Sequence, residues 1–438
     1  MVDKKIFDYN MRDDFQFPVY VSYELADFGG GIQGILPEKR ISGVFTRKGG
    51  ETFLELAAQP LKPGSEKSSV RTNLDEVQSK KDSHDWYATT WSGEIQFTLR
   101  RYVKVGGTEH FGFNSVSYGA TSKWNVYDFV ISSQFHLNKQ VYRARLDIDH
   151  MFDWFGISNP RQDADSLQKL EYHDLKFQGM HFSLNVYGGF LKKNGNRIFQ
   201  NVATLDLVLM FDQPQEKEPV YQLAVQVRNL MQMLMGKKAG INRIILNQDQ
   251  SRSGDKLLPK DERENWFLAQ SFLPENVNES DRDWSVPFLN IKENSPLILE
   301  SFFKNQKIQK LVSSFLLISQ YKVPVSTAVI TLVSSIETFY NEEKYENGKK
   351  IRNAKDKLKK FLNLIQSPSD LVRRELGVSD FNIDAMISRI KNSRDYFVHG
   401  EKENEFTSET DLITDLMALE LLVKHVIILI ITNPELFD

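Results

Sequence analysis

Glu94-Ile-Gln-Phe-Thr-Leu-Arg100 alternates polar and apolar residues without a break. That period places Ile95, Phe97 and Leu99 on one face of an extended chain, the pattern of a strand with one side buried. Similar runs, rich in β-branched and aromatic residues, flank it: Phe17–Glu24, Ile41–Arg47 and Thr52–Ala57 before it, Val126–Leu137, Phe182–Tyr187 and Thr204–Phe211 after it, with Glu94–Val105 as the full central run. Glycine pairs separate them at Gly49-Gly50, Gly106-Gly107 and Gly188-Gly189. Asn194-Gly195 is a further turn signal. Lys62–Asp85 is polar and reads as a long surface loop or disordered insertion, and Asn247–Asn265 as a loop. One helix interrupts the strands. Val220–Met235 carries Leu223, Val227, Leu230, Met231 and Leu234 on one face, Gly236 stands where a C-terminal cap belongs, and Ile241–Leu246 is a strand again.

After Pro287 the period changes. Leu297–Tyr321, Ser326–Tyr345, Ile351–Ile365, Ile383–His399 and Ser408–Thr432 read as helices. Pro324 separates the first two, Ser326 and Ser408 serve as N-caps, and Gly400 stops the fourth. The class is therefore α+β. A β-rich unit over 1–285 precedes an all-α bundle over 286–438, with the boundary near 280–295. No internal repeat is visible.

The 438 residues carry a net charge of −3, which excludes bulk positive charge as a means of gripping nucleic acid but leaves room for a local patch. Cys is absent, which excludes disulfides, thiolate metal sites, iron–sulfur clusters and thiol catalysis. Met1–Phe15 lacks the apolar stretch of a secretory signal, and Leu416–Ile431 is interrupted by Glu420, Lys424 and His425. The expectation is a cytoplasmic protein without a membrane span.

Gly29-Gly-Gly-Ile-Gln-Gly34 matches a dinucleotide fingerprint by letter, but Pro37 and a strand follow where a helix must start, so it reads as a turn. No Walker loop, HExxH or GxSxG occurs. Asp147, Asp149, His150 and Asp153 cluster locally. Metal ligation is one reading; the alternation Arg143–Asp149 on an exposed strand face is the other. His173 and His181 stand apart from any cluster. No metal site and no cofactor are expected.

Lys391-Asn-Ser-Arg-Asp-Tyr-Phe-Val-His-Gly400 places Arg394 five positions before His399, near the end of a helix. Arg145 and His150 share that spacing, so context decides. In a strand, residues five apart face opposite ways, which removes the second pair. A His at a helix C-terminus meets the negative end of the macrodipole, which favours imidazolium. An Arg clamps phosphate oxygens with two parallel donors. The chemistry of the pair is phosphate recognition with proton transfer. The alternative is that Arg394 pairs with a carboxylate and His399 caps the helix.

Ser393-Arg-Asp-Tyr-Phe-Val-His-Gly400 resembles the R-x4-6-H signature of HEPN ribonucleases, with the polar Asp395 after the Arg. Val333-Ser-Ser-Ile-Glu-Thr-Phe-Tyr340 resembles an upstream helix of that family, in which the acidic residue, here Glu337, is structural. Ile41–Arg47, Val220–Gly236 and Ile241–Leu246 resemble the N-terminal domain of ApeA-like anti-phage proteins, which end in a HEPN domain. The resemblance implies a HEPN-like bundle and a metal-independent endoribonuclease of abortive infection. The RNA 2′-hydroxyl attacks its own 3′ phosphate, with Arg394 and His399 catalytic and no cofactor. Asn392 and Asp395 orient the His or contact RNA, or are plain helix-surface residues. It also implies a homodimer through the C-terminal domain and a phage-derived trigger.

RNA needs a landing surface. Lys349, Lys350, Arg352 and Lys355 lie in a basic run, Lys344–Lys360, joined by Arg373, Arg374, Arg389 and Lys391. A solvated helix face explains the run equally well. The competing function is a non-catalytic sensor, whose β-rich domain recognises a phage component and whose helices dimerise.

Overall fold

The computed structural model describes residues 8–57, 85–111, 118–135, 140–156, 170–195, 198–247, 263–270, 283–321, 323–342, 350–400 and 409–436. In chain order the first half holds β1 Phe15–Ser22, β2 Ala26–Asp27, β3 Gln33–Gly34, β4 Ile41–Lys48, β5 Glu51–Leu56, β6 Trp86–Thr90, β7 Gln96–Phe111, β8 Tyr118–Ser132 and β9 Gln140–Ile148. Then come α1 Met151–Trp154, β10 Leu170–Phe177, β11 Met180–Gly195, β12 Ile198–Glu216, α2 Lys217–Met235, β13 Ile241–Asn247 and β14 Arg263–Leu268. The remainder is helical: α3 Phe288–Ile291, α4 Ser295–Lys304, α5 Gln306–Gln320, α6 Val325–Phe339, α7 Ala354–Leu362, α8 Pro368–Leu376, α9 Ile383–His399 and α10 Glu409–Thr432. The α+β reading holds, with strands first and helices last.

Every strand pairing is antiparallel, and β1, β4, β5, β8, β7 and β6 close into a barrel. Closure removes exposed strand edges. Inward residues fill it: Val19, Phe45, Leu54, Phe97, Leu99 and Phe129 are at most 1% exposed. Phe45 meets Phe129 edge-on at 5.0 Å, a favoured aromatic geometry. Arg47 also points inward. It donates to Thr52 Oγ1 (2.7 Å) and the Met11 carbonyl (2.5 Å), and burial pushes its guanidinium down to about 10.

Strand β8 joins the barrel to the rest of one twelve-stranded sheet. One edge pairs with β5 over Ser122–Asn125 and then with β14 over Asp128–Ile131. From β14 an open sheet continues through β13, β9, β12 and β11 to β10. Its apolar face, with Leu184, Leu207, Leu146 and Ile244, packs on α2 and α4. At the junction, buried Lys217 meets buried Glu264 at 2.6 Å, and Trp266 Nε1 donates to Asp128 (2.6 Å). Burial pushes the Asp128 carboxyl up; Arg100 and the Trp266 bond oppose the shift.

Helix α10 runs through the helical part and packs against α4, α5, α6, α7, α8 and α9. Its Leu419, Leu422, Val423 and Val426 are fully buried. The apolar core is continuous from the barrel to this helix. No helix is long and apolar enough to cross a membrane, among the described residues.

Several expected elements differ. Leu297–Tyr321 is two helices, because Asn305 adopts an extended backbone and caps α5, accepting from the N–H groups of Lys307 and Ile308. Pro324, not Ser326, occupies the N-cap of α6. Arg263–Asn265 is strand rather than loop, held by β13 and β8. The expected loop over Lys62–Asp85, apart from Asp85, lies outside the described residues, as do the 248–262 part of the second expected loop and the Ser408 cap. Gly29, Gly30 and Gly31 all take positive φ in the turn between β2 and β3, which supports the turn reading of that glycine run.

Candidate active site

Helix α9 starts at a defined point. Asn382 accepts from the Ala385 N–H (3.0 Å), and Asp384 sits in the first turn, where the macrodipole favours a carboxylate. Met386, Ile387, Ile390 and Ser393 form the inward stripe. Gly400 ends the helix at φ 68, its N–H donating to the Tyr396 carbonyl at 2.8 Å. His399 is therefore the last helical residue. It is exposed and makes no hydrogen bond or ion pair among the described residues, and Val398 beside it is 45% exposed.

Arg394 is tied down. Its Nη2 donates to Glu337 Oε2 (3.0 Å) and its Nη1 to Asp395 Oδ1 (3.2 Å). Asp395 also receives Lys391 Nζ at 2.7 Å. Burial pushes the Asp395 carboxyl up, but the bonds from Lys391 and Arg394 outweigh it and hold it below the usual range. Glu337 sits at the end of α6, and its backbone carbonyl accepts from the buried Lys357 Nζ at 2.9 Å. One polar network thus joins α6, α7 and α9. Arg394 Nε is buried and has no partner among the described residues.

The structure brings Arg394, Glu337 and Asp395 together and leaves His399 apart. Five residues advance about 7.5 Å along an ideal helix and turn about 140° around it. Within one chain the imidazole and guanidinium therefore face different ways. Asn392 is half-buried on the same helix.

The basic run is less available than its composition implies. Lys357 is buried, Lys359 pairs with Asp384 (2.9 Å), and Lys360 lies over the Tyr340 ring. Arg373, Arg374, Arg389 and Lys391 pair with Asp370, Glu375, Asp415 and Asp395. Lys350 and Arg352 are exposed and Lys355 is half-buried, all three without an ion pair among the described residues. Lys349 lies outside the described residues. The signal for Lys357 was in the sequence: Ala354, Lys357, Leu358 and Phe361 share one helical face, and that face is buried.

The Arg145–His150 pair corrects one expectation. Strand β9 ends at Ile148, and His150 takes left-handed φ 64 ahead of α1, so the chain turns before reaching it. Arg145 pairs with the buried Asp206. The alternating face Arg143–Asp149 is half-buried rather than exposed, because β9 is an inner strand. Asp149 is 5% exposed and accepts from Arg12 (2.6 Å), the Gly240 N–H (2.8 Å) and Asn242 (2.9 Å). No group of three or more His, Asp or Glu suited to a metal occurs among the described residues. His173 and His181 are exposed.

Comparison with family models, with curated proteins and with solved structures finds no match for this chain.

Proposed function

We propose that the chain is a metal-independent endoribonuclease of the HEPN type, acting as an effector of abortive infection. The observation that carries this reading is the end of α9. Glu337 and Asp395 hold the Arg394 guanidinium near the helix terminus, and His399 stands exposed on the last turn. The RNA 2′-hydroxyl attacks the adjacent phosphorus. His399 takes the hydroxyl proton as base, or as acid gives one to the departing 5′-oxygen. Arg394 stabilises the charge on the phosphorane, exchanging a carboxylate for phosphate oxygens. Glu337 positions the guanidinium. Lys350, Arg352 and Lys355 contact the strand's phosphates, with Lys349 beside them in sequence.

The separation of Arg394 and His399 around one helix calls for a second chain. A two-fold homodimer through the C-terminal domain sets both pairs around one cleft. Val398, Ile413 and Met417, 45–52% exposed on α9 and α10, provide apolar surface for it. The β-rich part receives a phage-derived trigger. The test is cleavage of single-stranded RNA in EDTA by purified protein. Wild type cleaves, and His399→Ala, with an unchanged melting temperature, does not. An active species that sediments as a monomer with RNA bound would contradict the dimer.

A second reading has an observation of its own. Two carboxylates already neutralise Arg394, as in a purely structural ion pair. On that reading the protein is a non-catalytic sensor, and no RNA is cut in any condition.

A further inference from the structure

Strands β7 and β8 stay paired beyond the rim of the barrel. Gly107 lies opposite Ser122 and Thr108 opposite Thr121, and the pairing runs on to Phe111 and Tyr118, while β5 ends at Leu56, also opposite Ser122. The register of β7 slips between Lys104 and Gly106, an irregularity that bends a strand. A two-stranded ribbon thus leaves the barrel beside the ends of β4 and β5. A groove of about 590 Å³ opens there, lined by residues of all four strands and by Trp91, just past β6. That is the size of a small-ligand site.

Gly43, Gly106 and Gly107 line the groove and leave it unfilled. A Cβ would fall 2.5 Å from the Glu55 carbonyl oxygen at Gly43, and 2.6 Å from that of Thr121 at Gly107, so close strand approach requires glycine at both. Trp91 is 60% exposed. Its backbone N–H donates to the Pro18 carbonyl (3.2 Å), and its ring stacks on Tyr20, with centroids 5.9 Å and planes 21° apart. Arg40 lies over the same Tyr20 ring at 5.1 Å. A flat apolar surface is thereby held in place in water, ordered before any ligand arrives.

The polar groups around it are neutral in sum. Thr108 and Thr121 bring their hydroxyls within 2.7 Å of each other, and Ser42 adds another. Glu55 and Lys123 lie opposite each other in register and pair at 2.8 Å, both exposed. They are the only charged side chains lining the groove, among the described residues, and they cancel. A polyanion such as RNA meets no net positive charge here. The carboxylate offers acceptors, the ammonium donors, and the hydroxyls both. An aromatic plate beside such a set suits a molecule with an apolar face of C–H groups and a rim of hydroxyls, which describes a pyranose ring.

We propose that this groove binds a neutral oligosaccharide, with one pyranose ring stacked on Trp91 and sugar hydroxyls bonded to Glu55, Lys123, Thr108 and Thr121. The site uses none of the residues around Arg394 and His399 and does not rest on the ribonuclease reading.

Calorimetry on the full chain tests it, with maltotetraose, cellotetraose, chitotetraose and mannotetraose titrated separately, and an N-acetylated Ser-Gly-Tyr-Gly-Ser amide as control. At least one saccharide binds with a Kd of about 1 mM or tighter, and the peptide does not. Trp91→Ala weakens that binding by about ten-fold or more, with the variant folded by circular dichroism. Thr121→Val weakens it independently, and decides the matter alone if Trp91→Ala does not fold. Any of three results overturns the site: none of the four saccharides bound at about 10 mM, the peptide bound as tightly as the best saccharide, or the folded variants binding like wild type.

Discussion

Arg394 Nη2 lies 3.0 Å from Glu337 Oε2, a contact that spans 57 residues of sequence and ties the end of α6 to the last turns of α9. Both side chains are 22% exposed, so water and salt screen the pair, and it contributes about 0.5–1 kcal/mol. Glu337→Ala is expected to lower stability by about that amount in urea unfolding, since Lys357 bonds the backbone of Glu337 rather than its carboxylate. A loss above about 3 kcal/mol would show the pair to be a structural strut instead.

Arg389 and Asp415 behave differently. The guanidinium grips both carboxylate oxygens, at 2.8 and 2.7 Å, and Asp415 is 1% exposed. Arg389→Ala leaves a buried charge without its partner. The expected loss is about 3 kcal/mol, read from chemical denaturation. A loss below about 1 kcal/mol would contradict this account of how α9 is locked to α10.

Two helix-ending glycines separate backbone strain from crowding. Gly400 has φ 68 with open space around a notional Cβ, so Gly400→Ala costs about 1 kcal/mol for the left-handed backbone alone. Gly236 has φ 71, and its Cβ would fall 1.9 Å from Ser285 Oγ. Ser285 N–H also donates to the Met235 carbonyl there (3.1 Å). Gly236→Ala should therefore cost clearly more than Gly400→Ala in thermal unfolding. Equal costs would mean that Ser285 yields freely.

Much of the fold was legible where one residue type carries one physical role. Gly236 and Gly400 end helices because their positive φ strains any residue with a Cβ. The alternation around Phe97 marks a strand because one barrel face is buried. Strand β10 was hidden. A bulge between Tyr172 and Leu175, with Asp174 at φ 58, breaks its alternation. Barrel closure was also out of reach, because the two partners of one β8 edge, β5 and β14, lie far apart in sequence. At the candidate site, Arg394, His399 and Glu337 were readable as motif residues. The role of Lys357 was obscured by its position in a run of lysines, where charge hides the helical face it shares with Leu358 and Phe361.

Glu420 predicts a pH dependence. It is half-buried on α10, and burial raises its carboxyl pKa. In the unfolded chain such a group titrates near about 4.3. Below that value it is neutral in both states and costs nothing. As pH rises through the higher folded value, the fold must hold a charge and stability is lost. Glu420→Gln should match wild type near about pH 3.5 and melt higher at about pH 7. A variant that melts lower at neutral pH would show that the charged carboxylate is stabilising.

The central claim is that Arg394 and His399 cleave RNA through its own 2′-hydroxyl without a metal. The most direct measurement is the chemistry of the new ends, made by purified protein from single-stranded RNA in excess EDTA. The account predicts 2′,3′-cyclic phosphate ends, with a rate that falls by about 100-fold or more in His399→Ala and in Arg394→Ala while both variants stay folded. Products ending only in 3′-hydroxyl, cleavage that requires Mg²⁺, or full activity in either variant would contradict it.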